Sequence, residues 1–191
     1  VGTINTPDAL FQRLRDAGVQ VAVFNPVSPV SGSRAGWSPN QRNHRKVLVV
    51  DGKVGYLGGI NVSSVYESSP GSGSGSGTGK ADAPASADAK SAPWRDTHLR
   101  IEGPAVAQLE QVIRAGWESQ SEEPIKGGDS QVAPPVGATT VRILANQPDR
   151  SDGYTVYLTL MSAFESAQEY IHITMAYFVP DPAFIEVLTD A

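Results

Sequence analysis

The segment 44–51 reads His-Arg-Lys-Val-Leu-Val-Val-Asp, and Gly58-Gly59-Ile60-Asn61 follows a few residues later. Side chains alternate across an extended strand, so His44 and Lys46 point to the same side, about 6.5–7 Å apart along the backbone. Lys46 offers a cation and Asn61 an amide donor. The His44 imidazole can act as a nucleophile or as a proton donor. Converging on one spot, these three groups suit a phosphate. Gly58 and Gly59 leave room for a ligand to approach the backbone, which makes Gly59 a candidate phosphate contact. Leu48 and Val50 are expected to carry the face of His44 into the core. Asp51-Gly52 is a hairpin turn signal, and Asp51 is expected to shape the bend rather than to react.

An imidazole that attacks needs a fixed tautomer: a carboxylate accepting from Nδ1–H leaves Nε2 free and aimed at the substrate. Asp96 is the candidate for that role, at the start of a strand expected to lie beside the hairpin. His98 and Arg100 share the face of Asp96 by the period of two, either lining a pocket for the group attached to the phosphate or serving the sheet alone. Asn61 could equally cap a short helix beginning at Val62. His172, between Ile171 and Ile173, reads as a sheet histidine without a chemical role. Tyr177 and Phe178 read as core or rim aromatics.

The surrounding pattern predicts the elements that position these residues. Thr6-Pro7-Asp8 opens a helix with Leu10, Phe11 and Leu14 on its apolar stripe, and Gly18 closes it. Residues 19–24 alternate like a strand, and 25–40 form a loop rich in Pro, Ser and Gly. The strand of His44 returns through 54–57 and is expected to be central. Residues 94–101 form the next strand, and Gly103-Pro104 opens a helix with Val106, Leu109, Ile113 and Trp117 on one face. Short strands follow at 141–144 and 170–175. A helix over 154–167 turns Leu158, Met161 and Phe164 inward, and Asp181-Pro182 starts a last helix. Strands alternate with helices, which places the chain in the α/β class. Residues 68–93 are Gly-Ser repeats followed by Ala, Asp, Lys and Pro; such a composition buries no core and is expected to be a disordered insertion.

The 191 residues are 40% hydrophobic, enough for one large domain or parts of two. A net charge of −5 lacks the basic footprint of a nucleic-acid binder. Without cysteine there is neither a disulfide framework nor a thiolate metal site. The chain opens at Val1 and stops at Ala191 inside a helical pattern, and is expected to be a piece of a longer protein.

The pattern H-x-K-x4-D followed by G-G-x-N resembles the signature of the phospholipase D superfamily. The run Trp94-Arg95-Asp96-Thr97-His98-Leu99-Arg100-Ile101-Glu102-Gly103-Pro104 is similar to the segment that follows it in bacterial cardiolipin synthases and related proteins, and Tyr177-Phe178-Val179-Pro180-Asp181 resembles the opening of a second catalytic half. The resemblance implies a phospholipase D-like fold, a mixed sheet flanked by helices, built as a pseudo-twofold pair of halves of which only parts are present. Residues 1–118 are then the first half, 119–139 a linker and 140–191 the start of the second.

The chemistry so implied is a two-step transfer at a glycerophospholipid phosphodiester. His44 attacks phosphorus, Lys46 and Asn61 hold phosphate oxygens, and Asp96 orients His44, with no metal or other cofactor. The resemblance also implies a bacterial, membrane-associated enzyme whose partners are a phospholipid and the membrane surface. A second motif of the same kind is absent, because His172 has no lysine two residues on. The second half-site is expected to come from sequence outside this chain. Two other readings are a nuclease of the same superfamily and a binding module that has lost catalysis.

Overall fold

The computed structural model describes residues 6–25, 42–63, 66, 96–127, 132–146, 154–175 and 177–191. The loop centred on 26–41 and the repeat-rich segment 68–93 lie outside these residues. The chain divides into two compact units, Val1–Thr140 and Val141–Ala191.

In the first unit, α1 (Asp8–Asp16) begins after Pro7, which takes the N-cap position without a side-chain cap bond. It ends where Val19 N–H reaches back to Leu14 O at 3.0 Å and Gly18 N–H to Arg15 O at 2.9 Å. That bond pair is a Schellman closure. The stripe expected to be buried is largely in solvent, with Leu10 45% and Leu14 38% exposed.

The sheet is a three-stranded antiparallel meander in the order β1-β2-β3. Its strands are β1 (Val47–Val50), β2 (Val54–Gly58) and β3 (His98–Glu102). Val47 faces Leu57 and Val50 faces Val54, while Val54 faces Glu102 and Gly58 faces His98. The Asp51-Gly52 turn forms as expected. Both residues have left-handed φ, 52° and 64°, and Lys53 N–H closes the turn on Val50 O at 3.0 Å. Positive φ at both central positions is what a right-twisted hairpin demands of its turn, and Asp-Gly tolerates it.

The structure corrects several expectations. Among the described residues the sheet is antiparallel rather than mixed, and β1 lies at its edge rather than at its centre. Residues 19–24, 141–144 and 170–175 are not strands. Each alternates correctly, but a strand exists only with a hydrogen-bonded neighbour.

Helix α2 (Ala105–Glu118) covers one face of the sheet. Val106 is fully buried and Leu109 is 2% exposed, a burial that stabilises by roughly 1.5–3 kcal/mol for each side chain. Gly55 sets the face on which the helix sits: a methyl group there would stand 2.8 Å from Leu109 Cδ2. Gly55 faces Val49 and Ile101 across the sheet, so Val47 and Val49 lie toward the helix. Leu48 and Val50 lie on the other face, 55% and 42% exposed. The expectation that they enter the core is therefore wrong.

In the second unit, α3 (Thr155–Glu165) and α4 (Pro182–Asp190) pack through Phe164 and Phe184, whose rings meet edge to face at 5.2 Å. Leu158, expected inward, is 62% exposed. Asp181 caps α4 by accepting from Phe184 N–H at 2.8 Å, and Pro182 opens it, as the sequence predicts. Among the described residues no helix is long and apolar enough to cross a membrane.

Candidate functional site

His44 and Lys46 lie just ahead of β1, which begins at Val47, rather than on the strand as expected, and the structure brings them together. The Lys46 ammonium stands 3.0 Å from His44 Nδ1 and 3.2 Å from Nε2, and donates to the His44 carbonyl at 2.8 Å. Which ring nitrogen accepts depends on the tautomer.

Continuing the β1–β2 register by one step sets Lys46 opposite Gly58, and Gly58 pairs with His98. Lys46 itself precedes β1, so the paired row consists of Gly58 and His98. The glycine pair has a definite role here. A methyl group at Gly58 would stand 2.7 Å from His98 Cα and from His98 Nδ1. At Gly59 it would collide with the Asp96 carboxylate. The two glycines let the chain's own imidazole and carboxylate lie against the end of β2. Sequence reasoning found the space and did not foresee that His98 and Asp96 fill it.

Asp96 sits just ahead of β3. Its Oδ1 accepts from Thr97 N–H at 2.7 Å, and Gly59 N–H donates to Thr97 O at 3.2 Å, extending the β2–β3 ladder beyond Gly58. No hydrogen bond links Asp96 to His44. Asn61 is exposed at the end of the same hairpin, with its amide 3.5 Å from the Tyr66 hydroxyl. Asp51 lies at the far end of β1, five residues from Lys46, which is about 16 Å along a strand.

His98 is half-buried, with its Nδ1 buried and without a hydrogen-bond partner. Arg100 forms an ion pair with Glu102. The Tyr56 hydroxyl and then the Glu102 charge hold its guanidinium pKa above the ordinary value. Tyr56 faces Arg100 directly across β2 and β3. Sequence reasoning passed over Tyr56, although the hairpin register with β3 would have paired the two. The guanidinium is well exposed, so this ion pair contributes little to stability.

His172 stacks on Tyr170 with ring centroids 4.7 Å apart, in an extended segment rather than in a sheet. Tyr177 is 89% exposed and Phe178 51%, the latter touching the Phe184 ring at 6.2 Å. Among the described residues no group of three or more His, Asp or Glu is placed to hold a metal.

Comparison with known proteins identifies relatives over nearly the full chain. Cardiolipin synthase A of Pseudomonas fluorescens is 35% identical over 195 aligned positions, covering 98% of this chain and 34% of the relative. Cardiolipin synthase 1 of Staphylococcus aureus is 32% identical over 193 positions, and the cardiolipin synthase of Alkalihalophilus pseudofirmus 32% over 192, with the same coverage. The chain spans about a third of the length of these relatives. No family model and no solved structure matches it.

Proposed function

On the premise that this chain is a relative of the bacterial cardiolipin synthases of the phospholipase D superfamily along 98% of its length, we propose that it carries the nucleophilic half-site of an enzyme that transfers phosphatidyl groups. The observation that carries this reading is the contact of the Lys46 ammonium with the His44 ring, on a hairpin that ends in Gly58-Gly59 and Asn61. An imidazole needs a neighbouring cation when its target is a phosphodiester anion, because negative charge grows on the phosphoryl oxygens as phosphorus takes on a fifth ligand.

The reaction runs in two displacements. A ring nitrogen of His44 attacks phosphorus; a nitrogen–phosphorus bond forms while the bond to the leaving alcohol breaks, and that alcohol takes a proton. An acceptor hydroxyl then gives up its proton and attacks phosphorus, and the imidazole leaves. Water as acceptor gives hydrolysis; a glycerol hydroxyl of a second phospholipid gives a cardiolipin-type product. Lys46 and Asn61 hold the phosphoryl oxygens, and Asp96 turns from its seat against Gly59 toward the ring to fix its tautomer. The proton for the leaving alcohol comes from a second imidazole in a matching motif outside these residues. The chain then works as part of a longer, membrane-associated protein, in keeping with its coverage of a third of its relatives.

The test is head-group release and phosphatidyl transfer by that longer protein on phosphatidylglycerol vesicles. His44→Ala abolishes both activities, and Lys46→Ala lowers turnover by about 10²–10³-fold, as for other single donors to a transition-state anion. An active His44→Ala protein overturns the reading.

A further inference from the structure

We propose that α1 is an interfacial anchor: its apolar stripe of Leu10, Phe11 and Leu14 lies on the surface of an anionic phospholipid bilayer, with Arg13 and Arg15 at the lipid phosphates. This rests on the proposed phospholipid substrate and assigns the surface of the chain that meets it.

The first observation is an apolar face without a cover. Helix α1 packs against no other helix or strand of the described residues, and none of its residues is buried. The helix closure lengthens the stripe. The bond from Val19 N–H to Leu14 O sets Val19 beside Leu14, as the Schellman geometry does. Leu10, Leu14 and Val19 are all exposed. A contiguous row of this kind, unlike scattered single residues, marks a surface that meets something.

The second observation says what it meets. At about 100° per residue, Leu10, Phe11 and Leu14 share one side of the helix. Arg13 and Arg15 border that side on its two flanks, each about a quarter turn from its middle. Gln12 and Asp16 lie on the opposite side, joined by a 2.8 Å hydrogen bond, and Asp8 lies beyond Arg15 in the first turn. Among the described residues neither Arg13 nor Arg15 engages another side chain. An apolar stripe between two basic flanks matches a phospholipid surface layer by layer. The stripe enters the acyl boundary, and the arginine stems lie along it while the guanidinium groups reach the phosphates. A protein groove would need an acidic group on each rim; anionic lipid supplies phosphates on both sides of the helix at once.

The chain has no cysteine, so a single introduced thiol reports one position. Leu14→Cys and Gln12→Cys are each labelled with an environment-sensitive fluorophore in the 191-residue chain. They are mixed with vesicles of phosphatidylglycerol and phosphatidylcholine, or of phosphatidylcholine alone. On the mixed vesicles the label at position 14 is expected to shift to the blue and lose access to an aqueous quencher, while the label at position 12 stays in water. In co-sedimentation, Leu10→Ser with Leu14→Ser weakens binding by about tenfold or more. Arg13→Gln with Arg15→Gln weakens it roughly thirtyfold on the mixed vesicles. Circular dichroism checks that each variant keeps its fold.

A label at position 14 that stays in water, equal shielding of both labels, or binding indifferent to both double variants overturns the proposal. So does a label at position 14 that is already shielded in the longer protein before lipid is added, which gives the stripe a protein cover. Head-group release from monomeric short-chain phosphatidylglycerol by the longer protein reads the His44 site without a bilayer. Release there, with the label at position 14 in water, removes the anchor and leaves the site standing. Absence of release in the parent overturns both together.

Discussion

The Asp96 carboxylate occupies the space that a side chain on Gly59 would fill, so the residue proposed to orient His44 is seated by the absence of a side chain on the neighbouring strand. Gly58 seats His98 in the same way, with one difference: its methyl group would meet the Thr97 carbonyl and His98 Cα, which are backbone. A short carboxylate can swing aside and a strand backbone cannot. Gly58→Ala is therefore expected to destabilise the first unit by about 1–3 kcal/mol, the range for overpacking. Gly59→Ala costs less than half of that yet moves Asp96. Urea unfolding gives both stabilities, and equal losses would contradict the difference.

The two faces of the sheet predict opposite sensitivities. Leu109 is 2% exposed and packs over Gly55; Leu109→Ala is expected to cost about 2–5 kcal/mol through lost burial and a cavity. Leu48 is 55% exposed on the other face, and Leu48→Thr is expected to fall within about 0.5 kcal/mol of the parent. Denaturant midpoints measured together decide whether α2 covers the face assigned to it.

That assignment is where the sequence reading, which put Leu48 and Val50 in the core, went wrong. The hairpin, its turn and the strand from His98 were legible because local rules decide them: Asp-Gly for the turn, alternation for the strands. Alternation divides Val47 and Val49 from Leu48 and Val50 without saying which pair a helix will cover; the missing side chain of Gly55 decides that. Segments 19–24, 141–144 and 170–175 show the converse limit, since alternation marks a chain fit for a sheet and the neighbour that makes it a strand lies elsewhere. In the site, His44 and Lys46 meet as expected, although neither lies on β1. The seats of Asp96 and His98 required a cross-strand register that no single segment contains.

Stability of the second unit should depend on pH through Asp181. The Phe184 N–H, and then the Tyr157 hydroxyl, hold its carboxyl below the ordinary carboxylate pKa. A depressed folded pKa contributes stability that is complete above the unfolded value near 3.8 and is lost as pH falls through the folded value. Tyr157 acts at the other end. Burial, and then Asp181, raise its pKa above 10.0, so its contribution is complete below that value and is lost as pH rises through the folded one. Helicity followed by circular dichroism from pH 2 to 6 should show an acid loss that Asp181→Asn, which keeps the cap, reduces. An unchanged acid profile in that variant would contradict the assignment.

The division of labour between two imidazoles predicts that these 191 residues by themselves turn over phospholipid at least a hundredfold more slowly than the longer protein, the lower bound of what a positioned acid contributes. Head-group release by the purified chain at a rate matching the longer protein would show that it needs no second half-site.

The central claim is that His44 carries the phosphatidyl group between donor and acceptor, and trapping that intermediate tests it most directly. The longer protein is mixed with phosphatidylglycerol bearing labelled phosphorus, quenched in alkali to preserve phosphorus–nitrogen bonds, digested and analysed by mass spectrometry. The account predicts label on the peptide containing His44, lost in His44→Ala and chased away by an added acceptor alcohol. Turnover with no label at His44, or with label on another residue, would contradict it.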